Sequence, residues 1–148
     1  MKALILTLPE YALFSIAGKP FLEHQLSFLS EKGIRDVCIA THDGEGQIKS
    51  YFGSGLRWNV DITYIDEESP FSLLPVLKKA KRYMNDTCLV IRGDFYTQFA
   101  VDEVLKAHKE KGKSVTIGSI LNGERGDEMH ENVLYLLEPS MFESLESF

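Results

Sequence analysis

Short apolar runs alternate along the chain with stretches whose apolar positions recur every three or four residues. The first run predicts a strand at residues 3–6, and the next periodic stretch predicts a helix that begins near Pro20 and ends at Gly33. Further apolar runs predict strands at residues 37–41, 60–65, 88–91, 114–120 and 133–137, with helices in most of the intervals. This alternation is typical of βαβ units, and it predicts an α/β fold with a largely parallel sheet.

Chain length and net charge restrict the number of domains and the classes of partner. The chain has 148 residues, 44% of them hydrophobic, which predicts a single domain over residues 1–148. A formal charge of −6 opposes binding to nucleic acid and to anionic membranes, and the basic run at residues 78–82 is interpreted as a solvated helix face. No apolar run approaches the roughly 20 residues of a membrane helix, and no signal peptide is recognisable. We therefore expect a cytoplasmic protein with neither nucleic acid nor membrane as a partner.

Cysteine and histidine positions do not suggest a metal site or a nucleophile. Cys38 and Cys88 both lie inside apolar runs, which indicates buried structural thiols. The histidines are scattered without the spacing of metal ligands, and each is interpreted as a surface or helix-face residue without a partner. They are His24, His42, His108 and His130.

Several short motifs follow one another in a characteristic order. They are Ile16-Ala17-Gly18-Lys19-Pro20 with Glu23-His24-Gln25, Tyr51-Phe52-Gly53-Ser54-Gly55 with Trp58, Glu67-Glu68-Ser69-Pro70, Gly93-Asp94, and Tyr135-Leu136-Leu137-Glu138-Pro139. In this order and spacing the chain resembles the sugar-1-phosphate nucleotidyltransferases. The resemblance implies a three-layer, Rossmann-like nucleotidyltransferase fold with a mostly parallel central sheet. It also implies a nucleotide or sugar phosphate as ligand and Mg²⁺ as cofactor.

The resemblance also implies candidate site residues. Asp94 matches the family's first metal-binding aspartate, which makes it the candidate catalytic and Mg²⁺-binding residue. Gly93, Lys19 and Gln25 are candidates for nucleotide binding. Two structural alternatives stay open: Lys19 as a solvated residue before the helix, and Asp94 as a turn residue neutralised by Arg92.

Three segments depart from the family pattern. Residues 7–15 stand where the family has its glycine-rich phosphate loop, yet they contain no glycine and no basic residue. Residues 71–75 replace small residues near the base with bulky ones, among them Leu73 and Leu74, which either fill the base site or turn into the core. Val133 stands where a glycine would let a sugar approach, and the family's second metal aspartate would lie beyond Phe148.

These departures lead to a functional prediction that leaves enzymatic activity open. The first hypothesis is a catalytically inactive family member that acts as a regulatory or structural partner, in a homo-oligomer or with a related active enzyme. The alternative is a weakly active or nucleotide-binding protein that uses Mg²⁺ at Asp94; a fragment without its own function is a third. An apolar stripe on the last helix predicts either self-association or a helix folded back onto the core. Its members are Phe142, Leu145 and Phe148.

Overall fold

The computed structural model describes the backbone of residues 1–95, 101–122 and 129–147, and the side chains of residues 1–95, 101–119 and 132–145. Six strands form one sheet: β1 (Lys2–Leu6), β4 (Asp36–Thr41), β5 (Asp61–Asp66), β6 (Cys88–Arg92), β7 (Val115–Asn122) and β8 (Met129–Leu137). The order across the sheet is β5-β4-β1-β6-β8-β7. Only β8 runs against its neighbours, so the central sheet is mostly parallel.

Helices cover both faces of the sheet. They are α1 (Pro9–Ala12), α2 (Phe21–Glu31), α3 (Gln47–Phe52), α4 (Leu73–Ala80), α5 (Val101–Lys111) and α6 (Pro139–Glu143). Side chains from α2, α3 and α5 share one apolar cluster with the sheet, and those from α4 and α6 share another. Because side chains alternate along each strand, both faces of β1 are buried, Ile5 in the first cluster and Leu4 in the second. The predicted three-layer α/β fold is confirmed.

Local sequence signals agree with most helix ends. Gly33, Gly53 and Gly112 follow α2, α3 and α5 with positive φ angles, the conformation in which glycine ends a helix without strain. Pro75 lies in the first turn of α4, where a missing N–H costs little. Phe142 is buried, which agrees with a last helix folded back onto the core; Phe148 lies outside the described residues.

Some elements differ from the sequence-based expectation. Residues 7–15, predicted to form a loop, contain the single-turn helix α1. A small antiparallel hairpin follows, β2 (Ser15–Ile16) paired with β3 (Lys19–Pro20). The last strand begins at Met129 rather than at Val133, and the remaining predicted loop, residues 123–128, lies outside the described residues. Apolar periodicity missed α1 and the hairpin because both are too short to show a period.

Both cysteines are buried, as predicted. Cys38 is 5% exposed and Cys88 is fully buried, and each is a free thiol. Burial raises the pKa of both thiols, to about 11 for Cys38, so neither is a reactive thiolate at neutral pH. In the part of the chain that the structure describes, no helix has the length and apolar character needed to cross a membrane.

Candidate functional site

The strand order reverses between β1 and β6, which is where open α/β sheets usually bind ligands. The chain continues from β1 toward β4 and from β6 toward β8, and in open α/β sheets such a reversal marks the strand ends at which a ligand crevice is expected. Thr7 follows β1 there, while Gly93 and Asp94 follow β6. This end of the sheet is therefore the candidate site.

Gly93 has a packing reason to be glycine. Its N–H donates to the Leu6 carbonyl at 2.6 Å, which extends the ladder between β1 and β6 by one bond. A Cβ at this position would lie 2.5 Å from Thr7 Cβ and 2.8 Å from the Leu6 carbonyl oxygen. The close approach of the two strand ends thus requires glycine at this position, directly before Asp94.

Asp94 forms an ion pair with Arg92. Arg92 Nε donates to Oδ1 at 3.0 Å and Nη2 donates to Oδ2 at 2.7 Å, so one guanidinium occupies both carboxylate oxygens. The two side chains are 25% and 15% exposed, which limits screening by water. Two-pronged Arg–carboxylate pairs are strong and directional, and this one neutralises the carboxylate.

Aromatic rings hold the guanidinium in place. Arg92 Cζ lies 5.2 Å from the ring centroid of Phe71 and 5.0 Å from that of Phe95, both within cation–π range. Phe71 in turn meets Tyr11 edge to face at 5.8 Å, which joins the loop after β5 to α1. The space over Asp94 is thus bounded by aromatic side chains and the arginine.

The backbone amides of the segment after β1 form hydrogen bonds within that segment. The N–H groups of Tyr11 and Ala12 donate to the Leu8 carbonyl, and that of Leu13 donates to Pro9. Ala12 is fully buried and Leu13 packs on the core, whereas Phe14 is 64% exposed. Because these three amides bond within the turn, they are not available to cradle a phosphate as the amides of a glycine-rich loop are.

Gln25 reaches the candidate site from α2. Its side chain is 3% exposed, and Nε2 donates to the Arg92 carbonyl at 3.3 Å. Its Oε1 is buried with no hydrogen-bond partner among the described residues. The structure therefore brings together three of the four predicted site residues, Gln25, Gly93 and Asp94.

Lys19 lies elsewhere on the molecule. It is exposed on β3, next to a turn in which Ala17 and Gly18 have positive φ angles. The hollow beside it is lined by α2 residues such as Glu23, His24 and Glu31. His24 Nε2 and the Ile16 carbonyl oxygen are 2.7 Å apart, which ties this hairpin to α2.

The structure also shows where the other residues that depart from the family pattern lie. Leu73 packs against the core, whereas Leu74 is 42% exposed, so only the first of the two turns inward. Val133 is buried within β8. The residues that bridge β7 and β8, in which the family would bind sugar, lie partly outside the described residues.

The described residues do not form a complete Mg²⁺ site. Mg²⁺ prefers six oxygen ligands in near-octahedral geometry, and protein carboxylates are its usual anchor. Both oxygens of Asp94 already accept hydrogen bonds from Arg92. Within residues 1–95, 101–119 and 132–145, no group of three or more His, Cys, Asp or Glu side chains is arranged to hold a metal ion.

The expectation that every histidine lacks a partner is wrong. His108 is 5% exposed, with Nδ1 2.6 Å from Thr116 Oγ1 and Nε2 2.7 Å from Glu138 Oε1. Sequence reasoning missed this network because the partners lie on other elements. His42 lies 3.7 Å from an Asp66 oxygen, and the side chain of His130 lies outside the described residues.

A profile of one protein family covers most of the chain. The profile of the family described as Nucleotidyl transferase matches residues 7–128. The chain belongs to this family. The resemblance to sugar-1-phosphate nucleotidyltransferases that the motifs suggested is therefore confirmed.

Curated proteins similar to this nucleotidyltransferase-family chain are named as sugar-1-phosphate nucleotidyltransferases. A glucose-1-phosphate thymidylyltransferase of Streptomyces antibioticus is 28% identical over 66% of this chain and 28% of its own length. A mannose-1-phosphate guanylyltransferase of Mycobacterium tuberculosis is 28% identical over 84% of this chain and 34% of its own. A mannose-1-phosphate guanylyltransferase catalytic subunit beta of Danio rerio is 27% identical over 79% and 33%. The chain thus spans about a third or less of the length of these relatives.

A solved structure shows the same fold. HddC from Yersinia pseudotuberculosis superposes with a TM-score of 0.75 at 16% identity, over 97% of this chain and 79% of that protein. At this identity the likeness concerns the fold alone. It supports the mixed α/β fold described above.

Proposed function

We propose that this nucleotidyltransferase-family chain does not catalyse nucleotidyl transfer and acts as a regulatory or structural partner in nucleotide-sugar metabolism. The observation that carries the proposal is the Arg92–Asp94 pair, in which a guanidinium occupies the carboxylate oxygens that a metal ion would need. The amides of Tyr11, Ala12 and Leu13, which bond within their own turn, support it. We further propose that residues 1–148 act as one domain, because all six strands join one sheet.

The partner we propose is a second copy of this chain or a related active enzyme. The relative from Danio rerio is named as a catalytic subunit, so that protein carries out its activity as one subunit. A fold that persists while its phosphate-binding segment is reorganised is consistent with selection on surfaces rather than on catalysis. We also propose a cytoplasmic location, in keeping with two free, buried thiols.

A pyrophosphate-release assay tests the loss of catalysis. The purified chain is incubated with Mg²⁺, each common nucleoside triphosphate and a set of hexose 1-phosphates, with an active relative as positive control. We expect no release above the enzyme-free background. Reproducible turnover that Asp94→Asn removes would overturn the proposal.

Light scattering after size-exclusion chromatography tests the partnership. The chain is run alone and mixed with a purified, active sugar-1-phosphate nucleotidyltransferase. We expect a homo-oligomer or a stable mixed complex, and a change in kcat or KM of the active enzyme in the mixed sample. A monomer that neither co-elutes nor alters those constants is the contrary result.

The second candidate function is nucleotide binding with Mg²⁺ at Asp94, assisted by Gln25 and Lys19. Gln25 Oε1, buried without a hydrogen-bond partner among the described residues, favours it, because an amide oxygen accepts from an amino or hydroxyl donor. The ion pair to Arg92 opposes it. Calorimetry with nucleotides and Mg²⁺ separates the candidates: binding that Asp94→Ala abolishes supports this one, and flat titrations dismiss it.

A further inference from the structure

The two edges of the central sheet, β5 and β7, differ in how far the chain itself covers them. At the β5 edge, the Ile62 N–H donates to the Ser54 carbonyl at 2.9 Å. The Tyr64 hydroxyl on the same strand donates to the Gly53 carbonyl at 2.7 Å. The turn after α3 thus covers the β5 edge with hydrogen bonds from the same chain.

At the β7 edge, the backbone groups of two residues face away from the sheet. The Glu138 N–H donates to the Ser114 carbonyl at 2.9 Å, so these residues form a hydrogen-bonded pair in the antiparallel ladder of β7 and β8. Hydrogen-bonded and non-hydrogen-bonded pairs alternate along such a ladder, so Thr116 bonds to β8 whereas Val115 and Ile117 do not. The N–H and C=O groups of Val115 and Ile117 therefore point to the free edge. Neither N–H has a hydrogen-bond partner among the described residues.

The side chains of the same two residues are apolar and exposed. Val115 is 40% exposed and Ile117 is 50% exposed. Both lie on the face opposite Thr116, whose Oγ1 is 2.6 Å from His108 Nδ1 on α5. An exposed edge strand that combines unpaired peptide groups with β-branched side chains is a template for pairing with another strand.

The β7 edge is complementary to a second copy of itself. When two copies of β7 lie antiparallel around a two-fold axis at Thr116, Val115 of each copy stands opposite Ile117 of the other. Both outward residues then exchange N–H···O=C bonds in reciprocal pairs, and their side chains form apolar cross-strand pairs on one face. The regular β7–β8 register ends between Gly118 and Ser119, so this pairing is short.

The charge next to the strand favours the same arrangement. Lys113 precedes β7, and in the antiparallel pairing it stands opposite Ser119 of the other copy. In a parallel, in-register pairing it would stand beside Lys113 of the other copy, and like charges directly opposite each other destabilise a sheet. The antiparallel pairing around Thr116 therefore satisfies the outward backbone groups without opposing like charges.

We propose that two copies of this chain associate through β7, antiparallel around a two-fold axis at Thr116, so that the central sheet continues from one copy into the other. A two-fold contact uses the same edge of both copies, so each outward donor meets an outward acceptor and the contact closes on itself. This inference rests on the homo-oligomer of the proposed function and assigns the surface that forms it.

Amide hydrogen exchange, followed by NMR on the whole labelled chain at several concentrations, tests the pairing. We expect the Val115 and Ile117 amides to exchange slowly at high concentration and rapidly on dilution, because they bond only in the dimer. The Thr116 and Gly118 amides, which bond to β8, should stay protected throughout. Rapid exchange of Val115 and Ile117 at every concentration contradicts the proposal. Protection of these two amides in a sample that light scattering shows to be monomeric contradicts it as well.

Val115→Pro and Ile117→Lys test the surface in two independent ways. Proline at position 115 removes an outward donor without removing a bond to β8, and lysine at position 117 brings a charge into each apolar pair. In light scattering after size-exclusion chromatography, each variant should dissociate at a concentration at least about tenfold higher than the parent chain. Amide spectra that match the parent chain outside residues 113–119 show that the fold is kept. Leu56→Lys is the matched control, since Leu56 is 84% exposed next to the turn that covers the β5 edge, and it should leave the dimer unchanged.

The outcomes separate this surface from the proposed function. A dimer that persists in both β7 variants overturns the β7 surface and leaves self-association standing. A parent chain that is monomeric at every concentration overturns both the surface and the homo-oligomer. The loss of catalysis is decided by the pyrophosphate-release assay alone.

Discussion

At the scale of single residues, Gly93 sets how closely the ends of β1 and β6 approach. The space for its missing side chain is already occupied by Thr7 and by the Leu6 carbonyl. Asp94 follows directly, so its position over the strand ends depends on this contact. Packing and the candidate site are thus determined by the same residue.

Gly93→Ala should destabilise the chain by about 1–3 kcal/mol, because the added methyl group forces two strand ends apart. Urea unfolding measures the change. Gly44→Ala is the matched control: it has no heavy atom within 4 Å of the added Cβ and does not have a positive φ angle. Similar losses for the two variants would show that the contact with Thr7 is not what makes glycine necessary.

Residue identity alone left the pairing of Asp94 open. Arg92 ends β6 and Asp94 follows in a turn, so strand alternation does not decide whether the two side chains meet. The pairing with both oxygens, and the two phenylalanine rings around the guanidinium, depend on loops whose geometry no local pattern specifies.

At the scale of elements, His108 connects α5 with the two antiparallel strands. One nitrogen meets Thr116 on β7, and the other meets Glu138, which follows β8. Glu138 also accepts from Thr87 Oγ1, just before β6. A buried polar network of this kind fixes the relative position of several elements at once.

His108→Leu should cost about 1–3 kcal/mol of stability, since it removes both bonds of a buried imidazole and leaves Thr116 and Glu138, which are partly buried, without this partner. Urea unfolding, with the change in slope recorded, provides the measurement. His42→Leu is the control because His42 has a 52% exposed side chain, and it should stay within about 0.5 kcal/mol of the parent chain. A negligible loss for His108→Leu would mean that the network contributes nothing net.

A second connection between elements joins α4 to the loop after β5. Lys79 Nζ lies 2.8 Å from a Glu67 carboxylate oxygen and donates to the Asp66 carbonyl at 2.7 Å. The hydrogen bond from Lys79 lowers the pKa of Glu67 below its ordinary value. The stabilisation from this pair is therefore present above the unfolded-state pKa of Glu67 and is lost as the pH falls through its lower folded-state pKa.

NMR titration of the Glu67 carboxyl carbon tests this connection. We expect a midpoint below the ordinary glutamate value of about 4.3 in the parent chain, and a return toward that value in Lys79→Met. Lys109→Met, on α5, removes the same charge at a distant place and should leave the midpoint unchanged. An ordinary midpoint in the parent chain would contradict the pairing.

At the scale of the whole molecule, the apolar residues at the end of the chain pack against the central sheet. Phe142 is 2% exposed and Leu145 is 6% exposed, and both belong to the cluster that α4 forms with the sheet. Two members of the apolar stripe predicted from the sequence, Phe142 and Leu145, are thus buried in the core of the same chain. Self-association, which stays part of the proposed function, has to use another surface.

Phe142→Ala should therefore cost about 3–5 kcal/mol, the usual range for truncating a buried phenylalanine. Phe14→Ala makes the same truncation at a side chain that is 64% exposed, and should change stability by about 0.5 kcal/mol or less. Chemical denaturation of both variants provides the comparison. A small loss at Phe142 would indicate that α6 does not contribute to the cooperative core.

The sequence by itself determined the α/β class, the order of strands and long helices, the glycine helix ends and the burial of both cysteines. These features follow from apolar periodicity and from backbone limits, which act over a few neighbouring residues. The family motifs added the mostly parallel three-layer sheet. They also predicted Asp94, Gln25 and Lys19 at the strand ends, where open α/β sheets usually bind ligands, and the structure places the first two there.

Only the tertiary structure decided what those residues contact. Gln25 bonds to Arg92, 67 positions away, and His108 bonds to Glu138, 30 positions away. Only the folded structure shows that Thr41 Oγ1 and Asp43 Oδ1 are buried without a partner among the described residues. Contacts of this kind depend on how layers and loops pack, and packing is a property of the folded chain that no local pattern encodes.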